Sequence, residues 1–113
     1  MLKIYHNPRC KKSRAGLQYL QEKNLNPEII LYLKEPLSEK DISRLLMKLN
    51  ISAFDLVRTQ EAVYKKEYKG LQLTEEEWIK IIVENLKLMK RPIVETNLKA
   101  VWGEPAKEIE KVL

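Results

Sequence analysis

Apolar and polar positions alternate in Leu2-Lys3-Ile4-Tyr5, which predicts a short, half-buried strand at the front of the chain. From about Lys11 to Asn24 the spacing becomes helical, with Leu17 and Leu20 on one face. Gly16 lies inside that helix and costs up to about 1 kcal/mol against alanine, so the position raises the question of what packs closely there. Asn26-Pro27 marks a turn, and Glu28 to Leu33 predicts a second, apolar strand. Strand, helix and strand in this order form a βαβ unit whose strands run parallel.

The pattern changes between residues 34 and 89. Ser38-Glu39-Lys40-Asp41 is a capping-box-like helix start, and Ile42, Leu45, Leu46 and Leu49 follow on one face. Ser52-Ala53-Phe54-Asp55 resembles another short helix start. Thr74-Glu75-Glu76-Glu77 is a clearer capping box, leading into an apolar stripe of Trp78, Ile81, Ile82 and Leu86. No convincing strand interrupts this helical block. Strand patterns return after Arg91-Pro92: Ile93-Val94-Glu95 and Lys99-Ala100-Val101-Trp102 flank a turn at Thr96-Asn97-Leu98. Gly103 and Pro105 close the second strand, and Ile109, Val112 and Leu113 mark a short last helix. The predicted class is therefore α/β, a four-stranded mixed sheet with flanking helices and a helical insertion between strands 2 and 3.

Composition narrows the function classes. At 113 residues the chain is expected to be a single domain, with residues 34–89 as an insertion, and to be a monomer. A 44% hydrophobic and 33% charged composition is that of an ordinary soluble protein. The longest apolar runs, such as Ile29 to Leu33, fall far short of the roughly 20 residues that span a bilayer, so no membrane partner is expected. No apolar leader is visible at the start. The net charge of +5 is mild and interleaved with glutamates, which suits anionic substrates or acidic surfaces and does not name nucleic acid. One cysteine and one histidine cannot build a disulfide or, unaided, a zinc site; a reduced, cytoplasmic protein without a bound metal or cofactor is expected.

That one cysteine and that one histidine share the segment His6-Asn7-Pro8-Arg9-Cys10-Lys11-Lys12-Ser13. A thiol is a nucleophile only as its thiolate, and at neutral pH an ordinary cysteine is mostly protonated. Cys10 stands where a loop enters a helix, so unpaired amides and the helix dipole favour an anion there. Arg9, Lys11, Lys12 and Arg14 add a positive local field, although they fan round the helix. Two readings of Cys10 are open on these residues: a small buried side chain or a reactive thiol. His6 reads as loop structure or as hydrogen-bonding support. Ser13 reads as a donor to the thiolate or as a cap of the first turn.

The segment His6 to Ser13 resembles the active-site loop of the glutaredoxin-coupled arsenate reductase family, whose thioredoxin-like core carries a helical insertion. Leu56-Val57-Arg58-Thr59, then Glu61 to Lys65, and Lys90-Arg91-Pro92-Ile93-Val94 match its other landmarks in order and spacing. The resemblance implies that Cys10 is the nucleophile and that Arg58 and Arg91 bind an arsenate-like oxyanion, a fit for guanidinium forks. On their own residues, Arg58 and Arg91 read as a surface charge and a strand-edge charge. The resemblance further implies a supporting loop of His6, Asn7 and Ser13, and Pro92 at a position where a cis peptide faces the thiol. Having no second cysteine, the chain would depend on glutathione and glutaredoxin to resolve the intermediate; alternatively, the same thiolate would attack glutathione mixed disulfides, with no arsenate needed. The broader family also includes Spx-type regulators that bind the RNA polymerase α-subunit, an alternative that would use the same fold as a binding surface. Those regulators commonly carry Cys-x-x-Cys, where this chain has Cys10-Lys11-Lys12-Ser13. One position departs from the arsenate-reducing members: Glu104 stands where they carry a third arginine. At 4 Å and an effective dielectric of 20, a carboxylate would oppose an anion by about 4 kcal/mol, less with solvent exposure.

Overall fold

Ile4 and Val94 sit opposite each other on neighbouring strands, and around that pair the first of two structural units is built. The computed structural model describes residues 1–113. The first unit comprises Met1–Glu35 and Arg91–Leu113, and the second Pro36–Lys90.

In the first unit the strands are β1 (Leu2–Tyr5), β2 (Glu28–Ile30), β3 (Ile93–Thr96) and β4 (Ala100–Trp102), with helix α1 over Lys11–Glu22. Their order in the sheet is β2-β1-β3-β4. β1 pairs in parallel with β2 and antiparallel with β3, and β3 pairs antiparallel with β4. This is the four-stranded mixed sheet that the pattern of the chain predicts and the thioredoxin-like core that the resemblance implies. One sheet face packs Ile4 and Val94 against Leu20 of α1 and against Ile109 and Val112 of the last helical segment. The other face buries Tyr5, Ile93 and Glu95, with the Tyr5 hydroxyl donating to Glu95 Oε1 at 2.6 Å. A buried carboxylate without such a donor would be costly.

Element ends differ from the sequence expectation for local reasons. β2 stops at Ile30 because the Leu31 carbonyl turns to accept from the amides of Lys34 and Glu35, both at 2.8 Å. That turn buries Tyr32 and leaves Leu33 exposed. α1 stops at Glu22 because Asn24 adopts a left-handed conformation, φ 61°, and the Leu25 amide reaches back to the Leu20 carbonyl at 3.1 Å. Asparagine tolerates that conformation better than most residues, and the back-reaching bond satisfies an orphan carbonyl. The last segment, Ala106–Val112, is a 3₁₀ helix, whose threefold repeat places Ile109 and Val112 on one buried line.

The second unit carries α2 (Glu39–Leu49) and α3 (Glu75–Glu84), joined by short helical turns and containing no strand longer than the isolated bridge Val57–Met89. Both capping boxes form. Ser38 accepts from the Asp41 amide while the Asp41 carboxylate accepts from Ser38, and Thr74 and Glu77 repeat the arrangement. Ile42, Leu45 and Leu46 of α2 and Trp78 and Ile82 of α3 are buried. The stripe breaks down at its end, because α3 stops before Leu86 and the unit buries Leu88 and Met89 instead. No helix is long and apolar enough to cross a membrane.

Candidate active site

The end of β1 is tied to the first turn of α1 by one buried hydroxyl. Ser13 Oγ lies 2.7 Å from His6 Nδ1 and accepts from the Asn7 amide at 2.9 Å. The Asn7 side chain in turn accepts from the Arg9 amide at 3.0 Å, an Asx-type turn that bends the loop toward the helix. The Asn7 carbonyl accepts from the Cys10 amide at 3.0 Å, so the residue before the helix is fixed at its backbone. Arg14 closes the loop from outside, donating to the Pro8 carbonyl at 2.9 Å. Burial first, and the neighbouring Arg14 charge second, lower the pKa of His6, which favours the neutral ring.

Cys10 occupies the N-cap position of α1 in an extended conformation, with no side chain capping the helix. Its sulfur is partly exposed, and the backbone amides of Ser13 and Lys12 and the Arg91 guanidinium act on it to favour the anion. Burial pushes the thiol up; those two amides and the Arg91 guanidinium outweigh it, and the pKa falls below the ordinary thiol value. The structure thus corrects the sequence reading of Ser13 in one respect. Its backbone amide, not its hydroxyl, meets the sulfur, because the hydroxyl is committed to His6 and Asn7. The neighbouring cations are likewise not the ones bonded to sulfur: Arg14 is held by Pro8, and Arg9, Lys11 and Lys12 are exposed.

Arg91 is brought to the thiol by the far end of the chain. The Arg91-Pro92 peptide is cis. Trp102 Nε1 donates to the Arg91 carbonyl at 3.2 Å, and the Gly103 amide donates to the Pro92 carbonyl at 2.9 Å. Gly16 answers the question its helix position raised: a Cβ there would lie 2.6 Å from Pro92 Cγ. A methyl-free helix surface is therefore what lets α1 seat against Pro92. The sequence pattern does not mark Trp102 and Gly103 as site residues; the only trace they leave there is a Trp-Gly step at a strand end. Glu104 follows them, half-exposed, and its peptide bond to Pro105 is also cis. Arg58 belongs to the second unit, where its amide bonds the Leu88 carbonyl at 2.7 Å and Nη2 lies 3.4 Å from Glu61 Oε2.

Comparison with known proteins fits this geometry. Residues 5–112 match the model of the ArsC family. The chain belongs to the ArsC family. Among relatives of this ArsC chain, the uncharacterized protein YfgD of Escherichia coli (strain K12) is 42% identical over 114 residues, covering 99% of this chain and 96% of that protein. An arsenate reductase of Neisseria meningitidis serogroup A is 37% identical over 116 residues, covering 99% and 97%. The solved structure of an arsenate reductase from Vibrio cholerae superposes with a TM-score of 0.95 at 33% identity, covering 99% of this chain and 97% of that one. The thioredoxin-like sheet of this ArsC chain, with its flanking helices, is thus shared with that structure.

Proposed function

We propose that the protein is a thiol-dependent oxidoreductase in which the Cys10 thiolate reduces an arsenate-like oxyanion with an external thiol. The observation that carries this reading is the place of Cys10 at the uncapped start of α1, on a loop fixed by Ser13 with His6 and Asn7, where helix amides and the Arg91 guanidinium favour its anion. The reading extends ArsC-family membership to chemistry. In the first step Cys10 Sγ attacks arsenic, a sulfur–arsenic bond forms, and an oxygen leaves as water after protonation. Arg91 holds the remaining oxygens, and Arg58 is proposed as a second guanidinium for the anion. In the second step a glutathione thiolate attacks Cys10 Sγ. The sulfur–arsenic electron pair leaves on arsenic, giving arsenite and a mixed disulfide at Cys10. A glutaredoxin thiol then takes up the glutathione and restores Cys10. Arsenic gains two electrons and two thiols become one disulfide, so the cycle balances.

The test is arsenate-dependent oxidation of glutathione by purified protein, with glutaredoxin supplied. Turnover that survives Cys10→Ser would overturn the mechanism. If turnover is absent and the protein instead captures the carboxy-terminal domain of the RNA polymerase α-subunit, the Spx-type reading replaces it.

A further inference from the structure

The reduction cycle needs a second thiol from outside, and the loop that leads into Cys10 lines a groove that offers a place for it. A groove of about 370 Å³ runs between the segment His6–Arg9 and the turn after β2, where Leu31, Leu33 and Lys34 form the opposite wall. Its floor is the loop that leads into Cys10, and the Cys10 amide bonds the Asn7 carbonyl on that loop. Pro8, Leu31 and Leu33 make its surface largely apolar, and Leu33 is 46% exposed. Arg9 and Lys34 stand exposed on its rim, and no carboxylate of the chain is engaged by either. A tetrahedral oxyanion needs far less room and no apolar wall. The volume is that of a small-ligand site, at the lower end of the usual range of about 300–1,000 Å³.

We infer that this groove seats the external thiol as a small peptide bearing carboxylates. Arg9 and Lys34 pair with its carboxylates, and Pro8, Leu31 and Leu33 cover its aliphatic parts. Its sulfur then approaches Cys10 from the groove side while the oxyanion occupies the Arg91 side. The inference rests on the proposed function for the identity of the reaction, and on the groove alone for the place of binding.

The probe is S-methylglutathione, which carries both carboxylates and cannot react. Its binding is followed by amide chemical-shift changes and calorimetry on the full chain. Shifts are expected to centre on His6–Arg9 and Leu31–Lys34, and Lys34→Glu is expected to weaken affinity about tenfold. In turnover, Lys34→Glu should raise the KM for glutathione with little change in kcat, and Leu33→Glu should act in the same direction. Neither variant should slow alkylation of Cys10 by neutral iodoacetamide. Shifts elsewhere, or a Lys34→Glu affinity within twofold of the parent, would overturn the groove assignment even if arsenate is reduced. So would protection of these residues by glutaredoxin alone with no response to the tripeptide analogue. If the analogue binds here but no arsenate is reduced, the groove stands and the proposed function fails.

Discussion

The molecule begins its three α-helices in two different ways. In the second unit, α2 and α3 each open with a full capping box, so side chains of the helix itself satisfy the first-turn amides. α1 has no such cap and no acidic residue in its first turn. Its Lys12 and Ser13 amides instead favour an anion at the sulfur of Cys10, which stands in the N-cap position. A neutral thiol is a poor acceptor, whereas a thiolate supplies the negative charge that the positive end of a helix favours. The contrast teaches that the uncapped helix is the reactive one: the same orphan amides that elsewhere stabilise the fold are here directed at an anion.

The largest test of the contrast is Cys10→Ser, which should reduce arsenate-dependent glutathione oxidation to background, since serine supplies no comparable nucleophile at neutral pH. Next comes Arg91→Ala. Removing the one side chain that hydrogen-bonds the sulfur should raise the thiol pKa and slow alkylation at neutral pH several-fold, read with iodoacetamide. An unchanged pKa would leave the helix amides as the whole cause.

Gly16→Ala probes the packing that delivers Arg91. Alanine would gain up to about 1 kcal/mol of helix propensity. The contact at 2.6 Å with the rigid Pro92 ring must then be relieved, however. Overpacking of this kind costs about 1–3 kcal/mol, so a net loss of stability is expected in denaturant unfolding. A gain in stability would show that Pro92 can shift freely. The smallest effects belong to the capped helices: Ser38→Ala and Thr74→Ala should each cost about 1 kcal/mol of stability. Neither should move the Cys10 pKa, and a shift would break the separation between structural and reactive helix starts.

Much of this was legible in the chain because it is local. Both capping boxes, the βαβ start, the hairpin after Pro92 and the helix-start position of Cys10 depend on neighbours within a few residues. What was not legible is long-range. Pattern alone assigns the positive field at Cys10 to Arg9, Lys11, Lys12 and Arg14, whereas the bonded cation is Arg91, placed by contacts from Gly16, Trp102 and Gly103. The Ser13 hydroxyl was equally hidden, since its partners His6 and Asn7 lie on the preceding strand end and loop. Strand and helix ends were missed where a tight turn, as at Leu31, or a left-handed asparagine, as at Asn24, overrode the apolar pattern.

The central claim is that the start of α1 lowers the Cys10 thiol pKa, and it is tested most directly by titrating the thiolate absorbance of the folded protein against Cys10→Ser. The midpoint should lie below the ordinary thiol value of about 8.5. Linkage gives the same experiment a stability readout. At pH below the folded midpoint, both folded and unfolded chains keep the proton and the contribution is absent. Between the two values only the folded chain has released it, so stability relative to Cys10→Ser should rise with pH and level off above about 8.5. A midpoint at or above 8.5, with no such rise, would contradict the account of α1 as an uncapped helix whose start favours an anion at Cys10.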